Sequence, residues 1–538
     1  RVLFRSMFTS MYQLSLLKQF QCAYHLSDKK TARAKLNHLI SITKDKNLRP
    51  YFLYNEAVLS KELDMDSKKQ SYKKFKAIYE NYPESDFGLA SAYRAGKLKE
   101  EDDKFKAKEL YLVYLKNAPD GKFASDCTES VKNLNTVLNV EESEIIANSL
   151  FLNKKYLEAL DLYIQTPFDK NWYNISKCYK GLNNLSKEKE TIINGLELEK
   201  SPVEEKYISL AIDRLISITH SDKIQTLQDL YTKCRNKYIF PTVAYKLAEN
   251  STSVRSIKLY EFVVENYPNS IWASNSLWEM FWYNYKLSRF KTCEAIAEQH
   301  KANYSTDTDA PRVAYWLGRV LLKEKKTKEA KEAFYKVIKE YPLSYYSFLS
   351  ARQLKMSKAK KMIVKKPITS YNINSINKKL FAKDKLILDL ANNNDIETLD
   401  ELKINDEYIK SWILNKKQNY PKSITLAKNE MNKRLHNGYG QNDEDREDES
   451  EKGQINFSDF ELKLMYPVLY ENEINEKAKD FKQSPYLFMS LIREESHFDR
   501  NAKSSAGAIG LTQLMPNTAN FIEKTNVSKE TLLEEGEN

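Results

Sequence analysis

Two short segments near the C-terminal end combine a carboxylate, a glycine-bearing turn and an amide side chain. The first reads Ser-Leu-Ile-Arg-Glu-Glu-Ser-His-Phe over residues 490–498, and the second reads Ser-Ser-Ala-Gly-Ala-Ile-Gly-Leu-Thr-Gln-Leu-Met-Pro over residues 504–516. A carboxyl group gives and takes protons, glycine lets a ligand approach the backbone, and an amide both donates and accepts hydrogen bonds. The combination predicts an acid–base site for an amide-bearing ligand.

Helical phase distinguishes the two adjacent glutamates, Glu494 and Glu495. Ser484 and Pro485 predict a helix start, because serine is a good N-cap and proline fits the first turn. At roughly 100° per residue, Glu495 falls within about 10° of the centre of an apolar stripe, whereas Glu494 lies about 90° away. The stripe consists of Leu487, Phe488, Leu491 and Ile492.

A carboxylate in an apolar stripe is the candidate acid/base. Burial without a partner disfavours the ionised form, so it would raise the pKa of Glu495 toward the range that a general acid needs. We therefore expect Glu495 to be the catalytic group. The alternative is that the helix ends there and Glu495 reaches water.

The segment Ala506 to Gly510 contains two of the 12 glycines in the chain. Because glycine adopts positive φ and permits close backbone approach, a ligand could lie against this turn. Gln513 follows closely and offers both donors and an acceptor to an amide-bearing substrate. The alternative is a plain turn between two helices.

These segments resemble a known catalytic signature. Residues 493–498, 504–510 and 510–516 are similar to the signature of the soluble lytic transglycosylases, a family that cleaves the glycan of peptidoglycan on a lysozyme-like fold. Residues 315–319 (Tyr-Trp-Leu-Gly-Arg) and 345–352 are similar to the end of that family's helical superhelix. The resemblance covers most of the chain and implies the same fold and activity.

The resemblance also implies roles for individual residues. Glu495 matches the catalytic acid/base. Residues that match positions near that carboxyl or along the sugar subsites are Ser496, Ser504, Gln513, Met515 and Thr512. Thr512 stands where the family commonly has methionine, so one sugar contact is expected to differ. The family's later Ala-Tyr-Asn motif has no counterpart before Asn538, which predicts an incomplete catalytic domain.

The implied reaction uses a single carboxyl group. Glu495 protonates the glycosidic oxygen between N-acetylmuramic acid (MurNAc) and N-acetylglucosamine (GlcNAc), then takes a proton from the C6 hydroxyl of the same MurNAc, which gives a 1,6-anhydro ring. Most glycosidases use two carboxylates, but we expect the best second candidate, Asp499, to bond the turn that follows it. Two alternatives stay open: a hydrolytic lysozyme-like muramidase, and a non-catalytic murein-binding scaffold.

The elements that must position these residues are predicted to be helices, in an all-α fold. The chain has 12 glycines in 538 residues, far below the roughly 7% of average proteins. An amphipathic helix stopped by proline recurs in the first 350 residues, at Pro83, Pro119, Pro268 and Pro342. Spacing in the mid-thirties predicts tetratricopeptide-like helix pairs that stack into a superhelix, and the proline stops argue against a long coiled coil.

Small and aromatic residues predict one tightly packed helix junction in this region. Ala314 and Gly318 lie four residues apart, so they share a helix face that a second helix could approach closely. Four aromatic residues are expected to fill the junction: Trp316, Phe334, Tyr345 and Phe348.

We predict five segments along the chain. Residues 1–6 resemble a translated sequencing adapter and are expected to be a scar. Residues 7–355 form the superhelical domain, and 356–436 form a helical linker domain with helices over 385–391 and 407–413. Residues 437–454 are an acidic flexible loop, because they hold too little apolar material to order themselves. Residues 455–538 are the incomplete lysozyme-like catalytic domain.

Charge and composition constrain the partners. The net charge is +11, and because residues 441–538 are net acidic, the positive excess lies in the first 440 residues. Such a field attracts anionic polymers, and murein fits once the family resemblance is considered. No nucleic-acid module is recognised, so nucleic acid is not expected as a partner.

Cysteine spacing and hydropathy argue against a metal site and against a transmembrane helix. The cysteines form no CxxC pair and accompany no histidine cluster, so we expect buried thiols, no metal and no cofactor. They are Cys22, Cys127, Cys178, Cys234 and Cys293. The sequence contains no run of 18 apolar residues, so it predicts no transmembrane helix. The resemblance implies a periplasmic location, with a signal peptide lost from the N-terminus.

Overall fold

The computed structural model of the chain describes residues 2–198, 203–235, 237–305, 307, 309–341, 344–354, 385–438, 459–504 and 507–524. Within those ranges the backbone forms helices and turns, and β-type pairing is limited to two isolated bridges, Lys503 with Ile509 and Ile509 with Leu514. The all-α prediction is confirmed. No helix in the described ranges is both long and apolar enough to cross a membrane.

Helices before residue 355 follow one another at short intervals. They are α1 (Val2–His25), α2 (Lys29–Ile42), α3 (Arg49–Glu62), α4 (Lys68–Asn81), α5 (Asp86–Lys99), α6 (Lys104–Asn117), α7 (Ala124–Asn133), α8 (Val140–Leu152), α9 (Tyr156–Tyr163), α10 (Phe168–Gly181), α11 (Leu185–Leu196), α12 (Glu205–Thr219), a 3₁₀ turn (His220–Asp222), α13 (Lys223–Lys233), α14 (Phe240–Glu249), α15 (Ser253–Asn266), α16 (Ile271–Lys286), α17 (Phe290–Tyr304), α18 (Ala310–Lys323), α19 (Thr327–Glu340) and α20 (Tyr345–Gln353). A second series begins at residue 385: α21 (Lys385–Asn392), α22 (Ile396–Glu401), α23 (Glu407–Lys416), α24 (Tyr420–Gly438), α25 (Asp459–Met465), α26 (Glu471–Asp480), α27 (Pro485–Ser496) and α28 (Pro516–Glu523).

The predicted proline stops are confirmed by the helix ends. After α4, α15 and α19 comes a tyrosine with nearly the same non-helical backbone: Tyr82 (φ −137°, ψ 54°), Tyr267 (φ −133°, ψ 53°) and Tyr341 (φ −129°, ψ 55°). Proline is the next residue in each case, and proline disfavours the α conformation in the residue before it. Likewise, α6 ends two residues before Pro119. Pro342 lies outside the described residues.

Gly318 confirms the predicted close approach of two helices. A Cβ atom added at Gly318 of α18 would lie 2.6 Å from a ring carbon of Phe334 on α19, and Phe334 is buried. Trp316 is partly buried beside them. The prediction was wrong for Tyr345 and Phe348, which are 67% and 43% exposed. The reason is that α20 packs inward through small residues: Ser347, Ser350 and Ala351.

Residues distant in sequence share one core. Two compact units divide the chain: residues 1–110 with 370–538, and residues 111–369. In the first unit, α1 packs against both α2 and α21, and the common core includes Phe20, Phe52, Leu390 and Trp412. Lys18 Nζ donates a hydrogen bond to Thr398 at 2.7 Å. The first helices thus belong to the same compact unit as the C-terminal chemical segments. The sequence analysis instead placed them in one domain over residues 7–355.

The other predicted segments lie partly inside and partly outside the described residues. The two predicted linker helices are present as α21 and α23. Helix α1 begins at Val2 and so includes most of the predicted scar. Residues 356–384 of the predicted linker and 439–454 of the predicted acidic loop lie outside the described residues, so those parts of the scheme stay predictions.

The cysteines are buried as predicted, with one exception. Cys127, Cys178, Cys234 and Cys293 are buried free thiols, whereas Cys22 is exposed. Burial raises the pKa of the Cys178 thiol to about 12 and that of Cys293 to about 11, which keeps both protonated. Cys22 reaches solvent because α1 turns a different set of residues to the core: Leu16, Leu17, Phe20 and Ala23.

Candidate active site

The helix predicted to carry the carboxylate is α27, and it has two apolar faces. It begins at Pro485 as predicted, although the Ser484 side chain makes no capping hydrogen bond. Its buried face consists of Met489, Ile492 and Ser496, and the two apolar residues pack with Ile424 and Ile474. At roughly 100° per residue, this face is centred about 100° away from the stripe predicted from the sequence.

Glu495 lies on the second face, which is exposed. Leu487, Leu491 and Glu495 recur every four residues along α27, and the two leucines are 58% and 45% exposed. Glu495 is also exposed, and it makes no hydrogen bond or ion pair with any residue that the structure describes. The predicted burial of Glu495 was wrong, because α27 packs through Met489 and Ile492 and leaves the side of the predicted stripe with Leu487 and Leu491 in solvent.

The neighbouring carboxylate, Glu494, has a different setting. It forms an ion pair with Arg493. Arg493 Nε also donates to the Met465 carbonyl at 2.8 Å, and its guanidinium lies 4.4 Å from the centre of the Tyr466 ring. These contacts attach α27 to the end of α25. Glu494 is therefore held in a surface ion pair with Arg493, whereas Glu495 has no ion-pair partner among the described residues.

Two consecutive residues with left-handed backbone end α27 and redirect the chain. They are His497 (φ 49°) and Phe498 (φ 64°). Phe498 is buried, and its ring stacks on Tyr470 with 6.4 Å between ring centres. Burial lowers the pKa of His497, with a further contribution from the positive charge of Arg493, so the imidazole favours its neutral form. Sequence reasoning missed this turn, since neither residue is a glycine or an asparagine.

Asp499 engages the next turn, as expected from the sequence. Its Oδ1 atom accepts a hydrogen bond from the Asn501 backbone N–H at 2.9 Å. This is a common way for an aspartate to fix the chain two residues ahead. The carboxylate thus has a local structural partner.

The glycine-bearing segment forms a turn closed by Ser504. The Ser504 N–H donates to the Ala508 carbonyl, and the Ala508 N–H donates to Ser504 Oγ, both at 2.9 Å. Gly507 and Gly510 have φ of 93° and 77°, a region that favours glycine. A Cβ at Gly507 would meet nothing within 4 Å, so conformation and not crowding requires glycine there. Ser505 and Ala506 lie outside the described residues.

Gln513 braces the loop between this turn and α28. Its Nε2 atom donates to the carbonyls of Ala502 at 3.2 Å and Gly510 at 3.0 Å, and its own backbone has φ of 51°. The Oε1 atom has no partner among the described residues and is free to accept from a ligand. Leu511 packs into the apolar cluster on the buried face of α27, which ties this loop to the helix that carries Glu495.

The remaining predicted site residues occupy different settings. Ser496 is buried, and its hydroxyl donates to the Ile492 carbonyl at 3.0 Å, so it faces the core. Thr512 is half-buried beside Gln513, and Met515 is 37% exposed immediately before α28. The structure thus places Thr512, Gln513 and Met515 on one braced loop.

No candidate metal centre occurs in the described ranges, where no three His, Cys, Asp or Glu side chains are grouped as metal ligands would be. Near α27, Glu494 is held by Arg493 and Asp499 by the Asn501 amide. The arrangement around Glu495 therefore offers one unengaged carboxyl group and the polar atoms of the braced loop.

Two segments of the chain match models of known protein families. Residues 472–537 match the family model described as Transglycosylase SLT domain. This segment is similar to the transglycosylase SLT family. The SLT segment contains α27 and every predicted site residue, and the match supports lytic transglycosylase activity as the general class of reaction. Residues 312–344 match a tetratricopeptide repeat model and contain the Gly318–Phe334 junction, which confirms the predicted repeat type there.

Similar solved structures include two bacterial enzymes. An inactive mutant of the lytic transglycosylase Slt from Pseudomonas aeruginosa is 15% identical, with a TM-score of 0.45 and coverage of 93% of this chain and 82% of that one. The 70 kDa soluble lytic transglycosylase from Escherichia coli is 13% identical, with a TM-score of 0.42 and coverage of 97% and 84%. A complex of the 70 kDa enzyme with bulgecin A matches equally. Likeness at this level assigns no residue roles.

Proposed function

We propose that this chain is a peptidoglycan lytic transglycosylase that cleaves the MurNAc-β-1,4-GlcNAc bond and forms 1,6-anhydro-MurNAc. The observation that carries the proposal is Glu495. It is an exposed carboxylate without a partner among the described residues, at the end of α27 and inside the SLT segment. A catalytic acid must reach the scissile oxygen, and Glu495 is positioned to meet a ligand from solvent.

In the first step Glu495 acts as a general acid. The carboxyl proton moves to the glycosidic oxygen, the bond from that oxygen to MurNAc C1 breaks, and GlcNAc leaves with a free 4-hydroxyl. A glycan lying over Leu487 and Leu491 would exclude water from Glu495. Exclusion of water favours the neutral carboxylic acid that this step needs.

In the second step the same group acts as a general base. The Glu495 carboxylate takes the proton of the MurNAc C6 hydroxyl while O6 bonds to the cationic C1, which closes the anhydro ring and regenerates the acid. No water is consumed. A second carboxylate is unnecessary on this route, which agrees with the engagement of Asp499 in its own turn.

The braced loop is proposed to hold the sugars. Gln513 Oε1 would accept from an acetamido N–H, and the exposed Met515 and the Thr512 side chain would line adjacent subsites. Ser504 would keep the turn in shape, and Ser496 would support α27 from its core side. Because peptidoglycan lies in the cell envelope, the proposed location is the periplasm.

Product analysis tests the proposal against its hydrolytic alternative. Purified glycan strands are digested with this chain, and the released muropeptides are separated and weighed. The lytic route predicts anhydro-MurNAc ends, lighter by one water than reducing ends. Reducing MurNAc ends without the anhydro form would instead assign a lysozyme-like muramidase.

A further inference from the structure

A cavity of about 300 Å³ lies between three consecutive helices, α17, α18 and α19. All three belong to the compact unit of residues 111–369, and α18 and α19 make up most of the segment that matches the tetratricopeptide repeat model. The volume is at the lower end of the range of about 300–1,000 Å³ that is usual for ligand pockets. Such a space suits one large side chain of a bound peptide.

The floor of the cavity is apolar and is kept open by short side chains. Each helix contributes at least one alanine: Ala297 from α17, Ala314 from α18 and Ala333 from α19. Longer apolar residues of α18 complete the floor: Val313, Leu317 and Leu321. An apolar group that enters this space leaves water for an apolar surface, which favours binding.

The cavity is also lined by a buried histidine that has one unused ring nitrogen. His300 of α17 is 1% exposed. Its Nε2 atom lies 3.0 Å from Ser274 Oγ, whereas its Nδ1 atom has no hydrogen-bond partner among the residues that the structure describes. Burial lowers the pKa of His300, so the ring favours its neutral form, in which each nitrogen either donates or accepts. A polar atom without a partner in a buried residue is unfavourable unless a ligand bonds it.

The rim of the cavity is acidic, although the chain as a whole carries +11. Glu329 and Glu332 of α19 are exposed at the rim and form no ion pair or hydrogen bond with any described residue. The two lysines at the rim are each paired with a glutamate: Lys301 with Glu298 at 3.2 Å, and Lys336 with Glu340 at 3.4 Å. The rim thus presents two uncompensated carboxylates, which favour a cationic ligand.

We propose that this cavity is a docking site for a segment of a partner protein in which one large apolar side chain is flanked by lysine or arginine. The apolar side chain enters the space above Ala314 and Ala333, and the flanking cations pair with Glu329 and Glu332. The His300 Nδ1 atom forms a hydrogen bond with the peptide. Docking here needs no catalytic group, so it is independent of the proposed reaction.

Peptide titration into the full chain, followed by calorimetry, tests both chemical requirements of the occupant. The probe is the synthetic peptide acetyl-Gly-Lys-Phe-Lys-Gly-amide. Two related peptides change one property each: acetyl-Gly-Lys-Ser-Lys-Gly-amide lacks the apolar side chain, and acetyl-Gly-Glu-Phe-Glu-Gly-amide reverses the charges. The probe should bind, and both altered peptides should bind at least about tenfold more weakly, because one loses apolar burial and the other places carboxylates against carboxylates.

Charge variants of the protein test the rim. The double variant Glu329→Gln, Glu332→Gln should weaken binding of the probe about three- to tenfold, because each exposed ion pair contributes modestly. The matched control is Glu261→Gln, Glu265→Gln, which makes the same change in net charge at exposed positions of α15 that do not line the cavity. The control should leave binding unchanged.

A filled cavity tests the floor. Ala333→Leu places a larger side chain in the space and should abolish binding of the probe, whereas Ala295→Leu, at an exposed position of α17 that does not line the cavity, should not. Thermal unfolding of both variants checks that they fold. Glu329 and Glu332 are exposed, so the result for the charge variants stands even where Ala333→Leu proves unstable.

Three results would overturn the docking site. One is equal affinity for the probe and the charge-reversed peptide. Another is equal weakening by the rim variants and the α15 control. The third is self-association of the chain that Ala333→Leu abolishes, together with no binding of the probe, which would assign this surface to a second copy of the chain.

Discussion

Glu494 and Glu495 are chemically identical and adjacent, yet their surroundings differ. Glu494 is neutralised by Arg493, which is itself anchored to the Met465 carbonyl. Glu495 follows Leu487 and Leu491 along an exposed row and has no described partner. Helical phase placed the two residues on different sides of the helix, but it could not tell which of two apolar faces packs inward. That choice depends on Ile424 and Ile474, which lie on other helices.

Gln513 has a structural task that the sequence did not reveal. Its amide nitrogen bonds the Ala502 and Gly510 carbonyls. Gln513→Glu replaces that donor with a carboxylate facing two carbonyl oxygens, so the loop amides should open more easily, by about 1–2 kcal/mol. Hydrogen exchange over residues 502–514 measures this effect, and the KM for glycan strands should rise with it.

The matched control for the loop is Gln483→Glu. Gln483 is exposed in the turn before α27, and its side chain makes no hydrogen bond with a described residue, so the same chemical change should leave loop exchange unaltered. Unchanged exchange in Gln513→Glu would remove the bracing role from our description.

At the scale of elements, local signals predicted helix ends well and burial poorly. Proline stops after α4, α15 and α19 depend only on the residue before proline, so the sequence contains the cause. The exposure of Tyr345 and Phe348 depends on which face of α20 meets α19. Nothing local to α20 specifies that face, because aromatic and small residues both follow its helical period.

The Gly318–Phe334 contact allows a direct test of helix packing. Gly318→Ala adds a Cβ atom 2.6 Å from the Phe334 ring. Overpacking of this kind should destabilise the chain by about 1–3 kcal/mol, more than the roughly 1 kcal/mol that alanine gains in helix propensity. Chemical denaturation followed by circular dichroism gives the change.

A second substitution separates overpacking from other causes. In Gly318→Ala with Phe334→Leu the ring is gone, so the double variant should lose less stability than the sum of the two single variants. Additive losses would mean that the alanine Cβ does not clash with this ring.

At the scale of the whole molecule, the association of α1 with the later helices lay beyond sequence reasoning. The Lys18–Thr398 hydrogen bond joins residues 380 positions apart. Periodicity and capping describe neighbours along the chain and carry no information on such pairs. The SLT segment was predictable because its motif is short and contiguous, whereas the largest core of the same compact unit joins residues 16–59 to residues 386–465.

Net charge gives a prediction for the molecule as a whole. The chain carries +11, with the excess in the first 440 residues. Murein carries carboxylates on its peptides and on each lactyl group that bears no peptide. Binding to purified murein should therefore weaken strongly between about 0.05 M and about 0.5 M NaCl, as screening shortens the reach of the field. A glycan of GlcNAc alone, without carboxylates, serves as the control and should show no salt dependence. Murein binding that is equally tight at both salt concentrations would contradict electrostatic guidance.

The most direct test of the account compares Glu495→Gln with Glu494→Gln in this protein. The measured quantity is the rate at which anhydro-MurNAc ends are released from purified glycan strands. Loss of the acid/base should lower that rate at least about a hundredfold in Glu495→Gln, whereas Glu494→Gln, which removes only a surface ion pair, should retain most of it. Near-normal release by Glu495→Gln, or an equal loss in both variants, would contradict the assignment of Glu495 as the catalytic group.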